Sequence, residues 1–262
     1  MKLITSRANS TFKQLKMLAE DAREQRRNGL TLLEGIHLVA AYREKCGLPD
    51  RLVLSEHAVA LPEIKALIDI MSGVELLLLR DSLYRELSGL ATPVGIAAVI
   101  RVPLPVPART DRSCVLLDGV QDAGNVGSIL RSAAAAGIVD VHLGPGCAGA
   151  WTPRVLRAAQ GAHFDLQLHE QADLAAVIAG FPGLSVAATA RDAEPLFQLT
   201  LKGNLAWLFG SEGGGISPNL EAAADKRARI PLARGSESLN VAAAAAICLF
   251  EQLRQNAALP QR

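Results

Sequence analysis

The chain is short of most features that would target it, staple it or charge it as a whole. Its 262 residues carry 27 lysines and arginines against 26 acids, a net charge of +1. No global field therefore draws it to nucleic acid, and any such partner must meet a local basic face. There are only four cysteines, Cys46, Cys114, Cys147 and Cys248. None forms a C-x-x-C pair and three lie in apolar runs, which reads as reduced packing thiols of a cytoplasmic protein. His142, His163 and His169 stand at no standard zinc spacing from Cys147, so no metal is expected. The N-terminal residues from Met1 to Asn9 have no apolar signal core. The longest apolar run, from Val241 to Phe250, falls far short of the roughly 20 residues a membrane span needs, so no membrane partner is expected.

Half of the residues are apolar, enough for a sizeable core, and the length suits one large or two ordinary domains. Strand and helix patterns alternate almost throughout, which predicts an α/β protein. Strands are expected at 30–33, 51–54, 74–79 and 94–100, with helices at 36–45, 61–71 and 82–90 between them. Ahead of these, Phe12, Leu15, Leu18, Ala19 and Ala22 recur at helical spacing and predict one helix over 10–27. Its other face carries Lys13, Lys16, Arg23, Arg26 and Arg27. That row is either a solvated face or a surface that tracks a phosphate backbone. Three alternate prolines between Arg101 and Arg109 favour extended, semi-rigid chain. They divide the sequence into a first domain, 1–100, a linker, 101–110, and a second domain, 111–262.

In the second domain a strand over 114–117 leads into a glycine- and asparagine-rich turn and then a helix starting near Asn125. Polar groups at such a turn lie where open α/β sheets bind ligands. Arg131 sits six residues after Asn125 on that helix. A further strand over 205–209 runs into Gly210-Ser211-Glu212-Gly213-Gly214-Gly215. Those glycines let main chain approach a ligand unobstructed. The run lacks the Gly-Lys-Ser/Thr ending of a P-loop and the central serine of a hydrolase elbow. A third stretch has a strand ending at Ile230, Pro231 to stop it, and a turn built on Gly235 and Ser236. Ser238 is expected to cap the long helix over 241–251 that follows. Gly144 to Gly149 matches G-x-G-x-x-G, with an acid about twenty residues on. Pro145 and a helix that starts only after the last glycine weigh against a dinucleotide site there.

Three of these stretches, in this order, resemble the motifs of the SpoU/TrmH group of SPOUT RNA methyltransferases. They are Asn125-x-Gly127-x-x-x-Arg131, Leu208-Phe-Gly210-x-Glu212-Gly-x-Gly215, and Ile230-Pro-Leu232 with Ser238-Leu-Asn-Val-x-Ala243. The resemblance implies a C-terminal SPOUT domain with a mostly parallel sheet and a deep trefoil knot in its tail. It further implies a smaller N-terminal α/β sandwich resembling RNA-binding ribosomal proteins. The activity it implies is methyl transfer from S-adenosylmethionine to a ribose 2′-hydroxyl of structured RNA, ribosomal by its two-domain layout. A transfer-RNA methyltransferase and a catalytically inactive assembly factor of the same fold stand as alternatives. By position, Thr189, Gly210, Ile230, Leu232, Ser238 and Leu239 would hold the cofactor, largely through backbone groups. Arg131, Asn125, Glu212, Ser238 and Asn240 would serve the chemistry. Arginine stays protonated, so Arg131 would hold the phosphate beside the acceptor. That phosphate, or a transiently deprotonated guanidine, would take the proton. Many members have glycine where this chain has Arg234, which leaves Arg234 able to reach RNA. The resemblance also implies a homodimer with its site completed at the interface.

Overall fold

A computed structural model describes residues 2–104, 106–190, 192–234 and 238–257. The turn assigned to Gly235 and Ser236 lies outside the described residues. The chain divides into two units, Met1–Leu104 with Trp151–Phe164, and Pro105–Ala150 with Asp165–Arg262.

The first unit runs β1 (Lys2–Ile4), α1 (Ser10–Glu20), α2 (Ala22–Asn28), β2 (Leu30–Glu34), α3 (Ile36–Cys46) and β3 (Arg51–Ser55). It continues with α4 (Pro62–Asp69), β4 (Glu75–Leu79), α5 (Asp81–Leu87) and β5 (Ile96–Arg101). The strands form one sheet in the order β1-β4-β3-β5-β2. Strands β1, β4 and β3 are mutually parallel, and β5 runs antiparallel to β3 and β2. Phe12, Leu15 and Leu18 of α1 and Leu83, Tyr84 and Leu87 of α5 close over Val53, Leu77 and Val99. The single helix expected over 10–27 is two helices. Asp21 leaves helical geometry, with φ −117° and ψ 106°. Its carboxylate instead accepts the N–H groups of Arg23 (2.7 Å) and Glu24 (3.4 Å), so the residue ends α1 and caps α2. Buried Gln25 fixes the break by donating to the Leu18 carbonyl at 2.6 Å.

The second unit runs β6 (Cys114–Asp118), α6 (Ala123–Ala135) and β7 (Asp140–Leu143). The chain then makes α7 (Pro153–Ala159), which groups with the first unit. Arg157 of α7 reaches the buried Glu34 carboxylate at 3.2 Å, and Thr31 donates to the Trp151 carbonyl at 2.6 Å. The second unit resumes with β8 (Gln167–Glu170), α8 (Leu174–Gly180), β9 (Leu184–Ala188), β10 (Glu194–Pro195) and β11 (Leu205–Gly210). It ends with α9 (Pro218–Ala223), β12 (Lys226–Arg229) and α10 (Val241–Asn256). Its sheet has the order β10-β12-β9-β11-β6-β7-β8, and all of these pairings are parallel. All six residues of β11 are buried, as a strand covered on both faces requires. Leu174 and Ile178 of α8 and Leu220 of α9 pack on Leu116, Ala187 and Leu208.

Helices α6 and α10 pack on each other through small residues, with Ala133 and Ala245 fully buried. The far end of α10 is tied down by amides. Gln252 accepts from the Trp207 indole at 2.8 Å, and Gln255 and Asn256 bond the main chain at Leu199, Leu201 and Gly203. At the other side of the sheet the buried Asp140 carboxylate accepts from Arg112 and lies 3.4 Å from His169 Nε2. The His142 ring stacks on His169 with centroids 4.6 Å apart. Burial, with His169 beside it, pushes His142 down to about 4.

Candidate active site

Parallel strands present their carboxyl ends together, and the register makes four of these ends level. Leu208 of β11 pairs with Ala187 of β9, Arg227 of β12 pairs with the same Ala187, and Gly210 pairs with Asp118 of β6. Thr189, Gly210, Ile230 and Asp118 therefore stand within a few residues of one edge, on the neighbouring strands β12, β9, β11 and β6. The Thr189 N–H holds the Ala228 carbonyl at 2.9 Å, which ties two of these ends together.

The loop after Gly210 folds on itself. Ser211 and Gly215 exchange two backbone hydrogen bonds, at 3.0 and 2.8 Å. Gly215 takes a φ of +67°, open to glycine at little cost. A Cβ on Gly210 would lie 2.1 Å from the Gly215 carbonyl carbon, so only glycine admits this return. The loop is anchored from β6, where the Asp118 carboxylate accepts the Ser217 N–H at 2.7 Å.

Asn125, Glu212 and Asn240, far apart in sequence, meet at this edge. The Asn125 amide donates to Glu212 Oε1 at 2.7 Å. The Asn240 amide donates to the same oxygen at 2.7 Å and to Asn125 Oδ1 at 2.8 Å. Asn240 Oδ1 is taken up by the N–H groups of Ala242 (3.0 Å) and Ala243 (3.2 Å). That engagement fixes which end of the amide faces Glu212. Asn240, then, caps α10; the assignment of that cap to Ser238 is corrected, because Asn240 lies at the boundary itself and its oxygen reaches the two free N–H groups. Asn125 is held in turn by Asp122, whose carboxylate accepts its N–H at 2.8 Å and caps α6.

Arg131 is exposed on α6, six residues past Asn125. Among the described residues its guanidinium makes no hydrogen bond or ion pair, so its donors are available to a ligand. Ser238 is exposed two residues before the cap. Leu232 and Leu239 are also exposed, at 37% and 39%, and Ile230 is half-buried. Exposed apolar side chains in segments that follow the strand ends, with glycine main chain at one of those ends, suit an amphipathic ligand read mainly through backbone groups.

The model of the SpoU rRNA Methylase family matches residues 112–250. The chain belongs to this family. It is 32% identical to the 23S rRNA (guanosine(2553)-2'-O)-methyltransferase RlmP of Bacillus subtilis, over 95% of this chain and 98% of that one. With mouse mitochondrial rRNA methyltransferase 3 it shares 31% identity, over 87% of this chain and 68% of the relative. The crystal structure of the SpoU methyltransferase AviRb from Streptomyces viridochromogenes, in complex with the cofactor AdoMet, superposes with a TM-score of 0.84 at 27% identity. That match covers 94% of this chain and 98% of the other.

Within this SpoU chain the remaining sequence-derived candidates are less concentrated. The break at Asp21 places Lys13 and Lys16 on α1 but Arg23, Arg26 and Arg27 on α2. Lys16 pairs with Glu86 at 2.9 Å and Arg27 with Glu24 at 2.7 Å. Lys13, Arg23 and Arg26 are exposed without such partners among the described residues. Arg234 is exposed four residues after Ile230. The turn at Gly144–Gly149 is bonded back onto the end of β6. Its Gly144 and Ala148 N–H groups donate to the carbonyls of Leu117 and Val120, both at 2.9 Å. A Cβ on Gly144 would meet Leu174 at 2.9 Å, so packing accounts for that glycine. Asp118 and Asp122 were not singled out from sequence. An aspartate ending an apolar strand, and another just before a helix, were the available signals.

Proposed function

We propose that the protein transfers a methyl group from S-adenosylmethionine to a ribose 2′-hydroxyl of structured RNA, ribosomal RNA first. The carrying observation is the hydrogen-bonded meeting of Asn125, Glu212 and Asn240 beside the self-bonded glycine loop. It occurs in a chain of a family whose relatives are named ribosomal RNA 2′-O-methyltransferases. Guanosine is the acceptor named for two of those relatives, which makes it the first nucleotide to test here.

The residues present fit the cofactor. Gly210, with no room for a side chain, Ile230 and Leu239 would hold it through backbone groups. Thr189, Leu232 and Ser238 would line the same place. When bound, S-adenosylmethionine supplies an activated methyl group, so the protein's contribution is chiefly alignment. Glu212 keeps both asparagine amides oriented, and Asn125 thereby presents a fixed polar group to the ribose. Arg131, with its donors unengaged, grips the phosphate beside the acceptor. That phosphate, or the Arg131 guanidine once transiently deprotonated, would take the proton of the acceptor hydroxyl.

The same reading draws the C-terminal tail through an earlier loop as a deep trefoil knot. It makes the first unit an RNA-holding domain resembling ribosomal proteins, with Lys13, Arg23 and Arg26 its open charges and Arg234 a further contact. Two chains would work as a homodimer in the cytoplasm. The outward Phe250 and Leu253 of α10, 47% and 38% exposed, support a covered helix face. Mapping ribose methylation in total RNA with and without this protein tests the proposal. One ribosomal ribose should lose its methyl group. Loss confined to transfer RNA would redirect the substrate, and no change at any ribose would overturn the activity.

A further inference from the structure

The first unit contains a cleft of about 300 Å³ where α1 breaks into α2 above the sheet. Leu15, Leu18 and Val99 form a buried floor, and Leu30 and Met17 extend it toward solvent, Met17 being 44% exposed. The cleft is built by the break, because Gln25 locks the two helices at Leu18. Its rim is polar and open. Among the described residues the Gln14 amide and the Thr11 hydroxyl make no hydrogen bond. Asn28 bonds Glu24 through its Nδ2, and among the described residues its oxygen accepts no hydrogen bond. Arg27 and Arg51 stand at the mouth, each paired with an acid. The exposed Lys13, Arg23 and Arg26 belong to the same two helices.

We infer that this cleft receives one unstacked nucleobase of the substrate RNA. An apolar floor with amide and hydroxyl groups around it matches a flat heteroaromatic ring with hydrogen-bonding edges. Arg27 and Arg51 at the mouth, with the exposed cations of the same two helices, match the phosphates on either side of such a base. An aliphatic peptide side chain would leave Gln14, Thr11 and the cations without counterparts. The inference rests on the RNA reading above and adds to it a place and a chemical class: a bulged or looped-out nucleotide, read by the first unit apart from the methylation site.

The test uses the full chain and two RNA hairpins, one with a single bulged 2-aminopurine and one fully paired. The parent protein should bind the bulged hairpin more tightly and change its 2-aminopurine emission. Gln14→Ala with Met17→Ala should weaken binding of the bulged hairpin about fivefold. The same variant should leave the paired hairpin and the salt slope as in the parent. Both side chains are exposed, so the core is spared, and a thermal melt checks this. Equal affinity of variant and parent for the bulged hairpin overturns the cleft assignment while the RNA reading stands. Unchanged affinity with a shift from dimer to monomer would give the cleft to a second copy of the chain and also overturn it. A parent that binds neither hairpin overturns the RNA reading, and the cleft with it.

Discussion

The polar groups of the two units are held in different ways. At the level strand edge of the second unit, Asn125, Glu212 and Asn240 come from three distant stretches and fix one another with bonds of 2.7 to 2.8 Å. On α1 and α2 of the first unit the cations lie close in sequence, but two of the five are already occupied by acids. A preorganised cluster suits alignment of a reacting group, where small displacements cost much rate. A loose row of charges suits attraction of a phosphate backbone, where position matters less and salt weakens every contact. Substitutions should therefore act on rate at the first place and on salt-dependent affinity at the second.

The largest effect is expected at Arg131. Arg131→Ala should lower single-turnover methylation about a thousandfold, the scale of losing one donor to developing charge. Calorimetry should find S-adenosylmethionine binding nearly unchanged. Equal loss of both would remove Arg131 from the chemistry. Glu212→Ala comes next, with about a hundredfold loss of rate, because both asparagine amides lose the carboxylate oxygen they share. Retained rate in that variant would make the cluster a matter of folding alone.

The contrast extends to acid. His142 is buried and neutral in the folded second unit, near 4 against an ordinary 6.5. Between those values the unfolded chain takes up a proton that the folded chain refuses. Stability is thus full above pH 6.5 and falls through the window, by about 3 kcal/mol near pH 4. Denaturant unfolding of a Trp151→Phe variant, with Trp207 reporting the second unit, should show this slope, and His142→Phe should flatten it. A slope unaffected by His142→Phe would place the acid sensitivity elsewhere. The smallest effect is expected on the basic face. Lys13→Glu with Arg26→Glu should weaken RNA binding several-fold and reduce the salt slope. Lys16→Ala with Arg27→Ala should change the slope less, since those charges already have acid partners. Equal effects from the two pairs would erase that distinction.

The sequence disclosed the α/β alternation because apolar periodicity is local, and most elements lie within a few residues of their expected spans. It also singled out Asn125, Glu212 and Asn240, which the fold brings into hydrogen-bonding contact, because their spacing within each stretch resembles a family pattern. What it concealed depends on distant partners. Nothing local in Trp151–Phe164 says that Arg157 will meet Glu34, more than a hundred residues earlier. Lys2–Ile4 is too short for alternation to mark it as a strand, and it forms only by pairing with β4. The break at Asp21 was hidden because apolar residues keep helical spacing across it, while the aspartate's competing bonds to Arg23 and Glu24 decide the local conformation. Ser238 and Asn240 are both good caps by type, and only the position of the first helical turn chooses between them.

The central claim is that three adjoining strand ends form the cofactor site. Hydrogen exchange of the whole protein with and without S-adenosylmethionine tests it most directly. Protection should rise together after β9, around Thr189, in the glycine loop at 210–217, and from Ile230 to the first turn of α10. Protection at the Gly144–Gly149 turn, with those three stretches unchanged, would contradict the account.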